Sequence, residues 1–129
     1  MASGLPAATG DVLTAATVNG LVAFTVTADA TTDYTAVLND QYQVLQPMNK
    51  ATAIAFKIPT NASVAFPVGT AITVLNKGAG AVTISAVTSG TTTVLSAGAV
   101  AASPTLAQYK TAVCIKTATD TWYVVGAIA

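Results

Sequence analysis

From Leu21 onward the sequence repeats with a period of two. β-branched residues recur in short runs, and Gly, Pro, Asn and Asp separate them. Alternation of this kind sends one set of side chains into a core and the other outward. No stretch carries the 3.6-residue spacing of a long amphipathic helix. The chain is therefore expected to be all-β. The candidate strands are 21–27, 34–38, 42–46, 53–58, 70–76, 81–87, 91–95, 110–117 and 121–127. Pro47, Pro59, Pro67 and Pro104 fall between these runs, which supports the boundaries because proline has no ladder N–H. The expected architecture is an antiparallel β-sandwich or jelly-roll-like domain over residues 21–129, preceded by a short N-terminal arm, residues 1–20. In the arm Gly4, Pro6, Gly10 and Gly20 separate small residues, and Thr14 is placed to cap a helical turn over residues 15–19.

Two local units stand out. In 70–87, Ile72 and Val74 alternate with Thr73, and Val82 and Ile84 with Thr83, around residues 76–80 (NKGAG). An antiparallel hairpin that puts Val74 opposite Val82 or Ile84 needs an odd loop, expected to be three residues with Gly in a left-handed position. In 110–127, Val113 and Ile115 alternate with Cys114 and Lys116, and Thr119 and Asp120 make the turn. On the returning strand Trp122 and Val124 share one face, Tyr123 and Val125 the other. A strand apolar on both faces is usually covered on both, by a second sheet or by another subunit. Residues 88–105 carry no charge and no aromatic ring; they read as a loop with a short edge strand, or as a surface packed against a neighbour.

Charge then limits the chemistry. The 129 residues include five Lys and five Asp but no Arg, Glu or His, so the net charge is zero and charged residues make up 8%, against about 25% in ordinary soluble domains. Nucleic-acid binding rests on Lys and Arg neutralising phosphates, and there is no basic stripe. The commonest general base and metal ligand is missing. Cys114 is alone, so neither an intrachain disulfide nor a zinc cluster can form. Mean hydropathy is high at +0.63, but the longest uncharged run, 78–109, is broken by Gly80, Gly90, Gly98 and Pro104, and no membrane helix is expected. The first residues show neither the basic nor the apolar region of a secretory signal.

Each candidate site also has a plainer role. Asp33, Asp40 and Asp120 lie at strand ends, where calcium could be held; without an EF-hand-like spacing they read as turn formers. Cys114 sits mid-strand without an activating group and reads as a small core residue. Trp122, Tyr123, Tyr109 and Tyr34 could make a sugar-stacking platform, but Trp122 reads rather as the anchor of a core with few large residues; Tyr34 and Tyr42 stay open. Asn61, Ala62 and Ser63 match a glycosylation sequon, and are read as a turn between Pro59 and Pro67. Residues 78–80 (GAG) do not lead from a strand into a helix and are no phosphate loop. No catalytic, cofactor-binding or metal site is expected, and no cofactor.

Residues 58–70 (IPTNASVAFPVGT) running into 71–74 (AITV), then 78–84 (GAGAVTI), Tyr109, Ala112 and 120–126 (DTWYVVG), resemble a small β module of virion structural proteins of tailed bacteriophages. Residues 10–19 (GDVLTAATVN) are similar to lead-ins on such proteins. The resemblance runs best from Thr32 to Gly126. It implies a β-sandwich without catalytic residues. At this length it implies a capsid decoration (cement) protein on the outer capsid surface, a homotrimer bracing the major capsid protein, with residues 1–20 touching the shell. The alternative it leaves is a tail-fibre or tail-tip module binding host-surface glycan. An enzyme is the weakest reading. The scarcity of charge fits an assembled subunit, since an uncharged free surface invites association. Asp29, Asp33, Asp40, Lys50, Lys77 and Asp120 fall in expected turns. Lys57, Lys110 and Lys116 lie within or at the ends of strands, where a charge fits this picture least well.

Overall fold

The computed structural model describes residues 24–96 and 103–128. The arm with its Thr14 cap, the start of the run 21–27 and residues 97–102 lie outside the described residues. Among the described residues ten strands form: β1 (Thr25–Val26), β2 (Tyr34–Thr35), β3 (Val44–Met48), β4 (Ile54–Ile58), β5 (Ala71–Asn76), β6 (Val82–Ala86), β7 (Thr93–Leu95), β8 (Thr105–Leu106), β9 (Thr111–Ala118) and β10 (Thr121–Gly126). They make two packed sheets, one of six strands in the order β1-β3-β5-β9-β10-β7 and one of four in the order β2-β4-β6-β8. The expected all-β sandwich is what the chain forms.

Pairing within the sheets is mixed rather than antiparallel throughout. The chain changes sheet at every connection up to β9. As a result β1, β3 and β5 run parallel in one sheet, and β2, β4 and β6 run parallel in the other. Each pass through both sheets is one coil, and three coils stack. Only the closing strands are antiparallel: β9 on β5, β10 on β9 and β8 on β6. β7 returns to pair parallel with β10 at the sheet edge. One core lies between the sheets, with Met48, Ile72, Val74, Cys114, Trp122 and Val124 from the larger sheet facing Ile54, Phe56, Ile58, Val82, Ile84 and Leu106 from the smaller.

The hairpin expected at 70–87 does not form. β5 belongs to the larger sheet and β6 to the smaller, and the segment between them turns a corner across the core. Val74 and Val82 do face one another's side, but through the core rather than along a ladder. The corner spends its hydrogen bonds on stacking. Lys77 N–H donates to Met48 O (2.8 Å) and Gly80 N–H to Lys50 O (2.9 Å), both in the preceding coil. Buried Asn76 donates from Nδ2 to Gly80 O (2.9 Å) and Leu106 O (2.8 Å) and accepts from Gly78 N–H (3.0 Å). Gly78 and Gly80 allow this closeness: a Cβ would fall on the Lys50 carbonyl at Gly78 and on the Thr52 carbonyl at Gly80. At the same end of the coils Asp29 accepts from Asn49 (3.1 Å) and Lys77 (2.8 Å), which ties one side chain from each coil to the next.

Three boundaries differ from the sequence reading. The run 34–38 is strand only at Tyr34–Thr35, and Leu38–Gln41 is a 3-10 turn. Asp40 bends the chain there, accepting on Oδ2 from Val37 N–H (2.9 Å) while its own N–H donates to Val37 O (2.9 Å). Pro47 lies inside β3 rather than between runs. The short β8 was not anticipated. The 110–127 hairpin forms as expected, with the turn at Thr119 and Asp120. Asp120 adopts φ 53°, a left-handed conformation that Asp tolerates better than most residues. Among the described residues no helix is long and apolar enough to cross a membrane.

Candidate functional site

The strand registers align the outward side chains of the six-stranded sheet into rows. One row runs Leu95, Tyr123, Ile115, Ala71; the next runs Val125, Val113, Thr73, Leu45, Val26. Leu75 and Pro47 pair beyond them. Lys116 is the one charged residue in these six strands, and it points inward. Among the described residues the outward positions of these strands therefore carry no charged side chain. Tyr123 is 44% exposed, Val125 49% and Val26 65%. Large apolar groups left open side by side are the usual mark of an interaction surface.

The four-stranded sheet behaves differently. Its outward rows are Thr35, Lys57, Ser85 and Ala55, Thr83, Thr105, polar apart from one alanine. That sheet shows the alternation of a strand with one face in water. The two outer faces of one sandwich thus differ in chemistry, and the uncharged one is the candidate functional surface.

Within the chain, β10 is covered on its inner face by the second sheet. Trp122 and Val124 are buried, with the Trp122 ring edge-on to Phe66 at 5.5 Å. Trp122 is the core anchor. Tyr34 stacks on Phe56 at 5.8 Å and donates its hydroxyl to Asp40 (2.7 Å). Burial first, then the Asp40 carboxylate, hold the Tyr34 phenol above its ordinary pKa. Tyr42 and Tyr109 are exposed at opposite ends of the larger sheet, Tyr42 just before β3 and Tyr109 beside the far end of β5. The rings do not form one sugar-stacking platform.

The aspartates are not brought together. Asp33 accepts from Ala55 N–H (3.0 Å) and lies 3.7 Å from Lys57. Asp40 serves its turn and Tyr34. Asp120 accepts on Oδ1 from Asn61 N–H (2.7 Å) and the Thr92 hydroxyl (3.1 Å). Among the described residues no group of three or more metal-ligating side chains converges. Cys114 is buried, and burial pushes its thiol up to about 12.

No family model, curated protein or solved structure matches the chain.

The reading of Cys114 as a small core residue is borne out, but that Lys116 shares its inward face was not expected. Hydropathy favours Val113 and Ile115 inside, yet Cys114 and Lys116 point inward and the two aliphatic residues point out. Lys116 is 2% exposed; its Nζ donates to Asn61 Oδ1 (2.5 Å) and Phe66 O (2.7 Å). Asn61 opens the turn expected between Pro59 and Pro67, and its half-buried carboxamide also reaches Lys116. The signal was present in the partner strand: Trp122 is too large to leave outside, and the turn at Asp120 puts Lys116 opposite it.

Proposed function

We propose that this chain is an assembly subunit, a structural protein of a tailed-phage virion that decorates the outer capsid surface as a homotrimer and braces the major capsid protein. The observation carrying the assembly part is the uncharged outer face of the six-stranded sheet, beside a polar outer face on the other sheet. An interface core is depleted in charge and enriched in aromatic and aliphatic groups, as this face is. A chain with ten ionic side chains in 129 residues gains most by burying that surface against copies of itself. The virion part is supported by the residues in 58–84 and 120–126 that resemble phage β modules. The glycan-binding tail module draws no support from the dispersed tyrosines.

Two measurements test the reading. Light scattering on the full chain at micromolar concentration should give the mass of three chains; a well-folded monomer overturns the trimer. Purified protein added to undecorated phage shells should bind in a stoichiometric array and raise the temperature at which they break open. Folded trimers that ignore the shell would leave the assembly reading standing and remove decoration.

A further inference from the structure

Lys116 is the chemically unexplained group in the core. It lies beside Trp122 and under the loop carrying Phe66, and among the described residues its Nζ has no carboxylate oxygen within 4.0 Å. Its two partners are neutral oxygens, Asn61 Oδ1 and Phe66 O. A buried amine without a carboxylate carries the cost of desolvation with little Coulombic return. Asn61, in turn, is fixed from behind by its backbone N–H on Asp120, which Thr92 also holds.

We infer that Lys116 and Asn61 form an intramolecular isopeptide bond. With Nζ 2.5 Å from Oδ1 and a carbonyl bond of about 1.2 Å, Nζ lies at most about 3.7 Å from Cγ. That is near the 3–3.5 Å range of reacting atoms held for attack. The Nζ lone pair adds to Asn61 Cγ, the Cγ–Nδ2 bond breaks, one Nζ proton passes to Nδ2, and ammonia leaves. If Lys116 starts as the ammonium, the extra proton leaves with it as ammonium ion. Atoms and charge balance without an oxidant or a co-reactant. The product is a neutral amide that no longer buries an unpaired amine. Lys116 is 2% exposed, so its amine is held away from bulk water. The bond joins the loop after β4 to β9, residues 55 apart in sequence, and restricts the unfolded chain as any long-range cross-link does. Asp120 is a positioning residue: it holds the Asn61 backbone and so the carboxamide.

The test is intact-mass and peptide mapping of the full chain. The expected protein is lighter than its sequence by one ammonia. Trypsin should fail to cut after Lys116 and should release 58–77 joined to 111–129. Asn61→Ala and Lys116→Met should each have the full sequence mass. In refolded protein Asp120→Ala should slow the ammonia loss by about 100-fold, the scale of a small misplacement. Asp120→Asn keeps an accepting oxygen and should restore the rate, which a general loss of stability would not do. A wild-type chain that keeps its full mass after refolding and long incubation overturns the proposal, whether or not the variants fold. Loss of ammonia with 58–77 and 111–129 unjoined also overturns it, because an asparagine cyclising on its own backbone loses the same molecule.

Discussion

The Gln46 side chain donates from Nε2 to Ala28 O at 3.1 Å, next to the one residue of β3 that has no N–H to give, Pro47. Proline inside a paired strand removes a ladder donor. The neighbouring chain adapts: Thr27 N–H reaches Leu45 O (3.1 Å), and the next rung is delayed to Ala30 N–H on Pro47 O (2.9 Å). Gln46 is buried and fills the gap, donating also to Pro47 O (2.8 Å) and accepting from the Thr27 hydroxyl (2.8 Å). Gln46→Leu keeps the volume and removes the donor. It should cost about 1 kcal/mol, the net worth of a hydrogen bond rather than of an orphaned group, because Ala28 is exposed and Pro47 O keeps the Ala30 N–H. Urea unfolding measures it; an unchanged midpoint would mean that Ala28 O is satisfied without the side chain.

Gly80 and Gly90 separate two reasons for keeping a glycine. At Gly80 a Cβ would strike the Thr52 backbone, whereas at Gly90, with φ 89°, nothing lies within 4 Å. Gly80→Ala must push two coils apart and should cost about 3 kcal/mol, the upper end of overpacking. Gly90→Ala meets only the left-handed conformation and should cost about 1–2 kcal/mol. Thermal melts of the two variants, side by side, decide whether coil stacking is as tight as the carbonyl positions require.

Alkaline pH should loosen the fold in a defined window. Cys114 and Tyr34 both have folded-state pKa values raised by burial, Tyr34 also by Asp40. The fold prefers their neutral forms. Their contribution is whole below the unfolded values and is lost as pH rises, for Cys114 from its ordinary value of 9.0 toward about 12. Within that window one proton contributes a slope of about 1.4 kcal/mol per pH unit. Urea midpoints between pH 8 and 11 should therefore fall. Cys114→Ala should be less stable at pH 8 but should lose stability less steeply above pH 9. Parallel slopes would mean that the thiol is not the group resisting ionisation.

Much of the sandwich was legible because alternation reports which side chains share a face. Ile72, Val74, Val82 and Ile84 were recognised as one inward set, and they are. Alternation does not report which strand is the neighbour. A hairpin and a corner across the core demand the same pattern, so 76–80 read equally well as a turn within one sheet. The glycines there carried the answer in a form the sequence hides, since their purpose is approach to Lys50 and Thr52 rather than a left-handed φ. Lys116 was legible as an anomaly but not as a core residue, because its partners Asn61 and Phe66 O come from a loop far away in sequence. The outer face followed from that inversion: once Lys116 turned inward, Val113 and Ile115 had to turn out.

The outer face yields the most direct test of assembly. Val113→Asp and Tyr123→Asp place a charge in the middle of the uncharged rows while leaving the inward side chains untouched. A charge buried in an interface without a partner is strongly unfavourable. Each variant should therefore sediment as a monomer at concentrations where the parent associates, with circular dichroism and melting of the monomer within about 0.5 kcal/mol of a neutral surface change. Thr83→Asp and Ser85→Asp put the same charge on the polar outer face of the four-stranded sheet and should leave association intact. If all four variants associate as the parent does, the contact between copies lies elsewhere, and the apolar rows need another occupant. If the Thr83 and Ser85 variants dissociate while the Val113 and Tyr123 variants do not, the roles of the two faces are reversed, and the chemistry of the larger sheet is no guide to the interface.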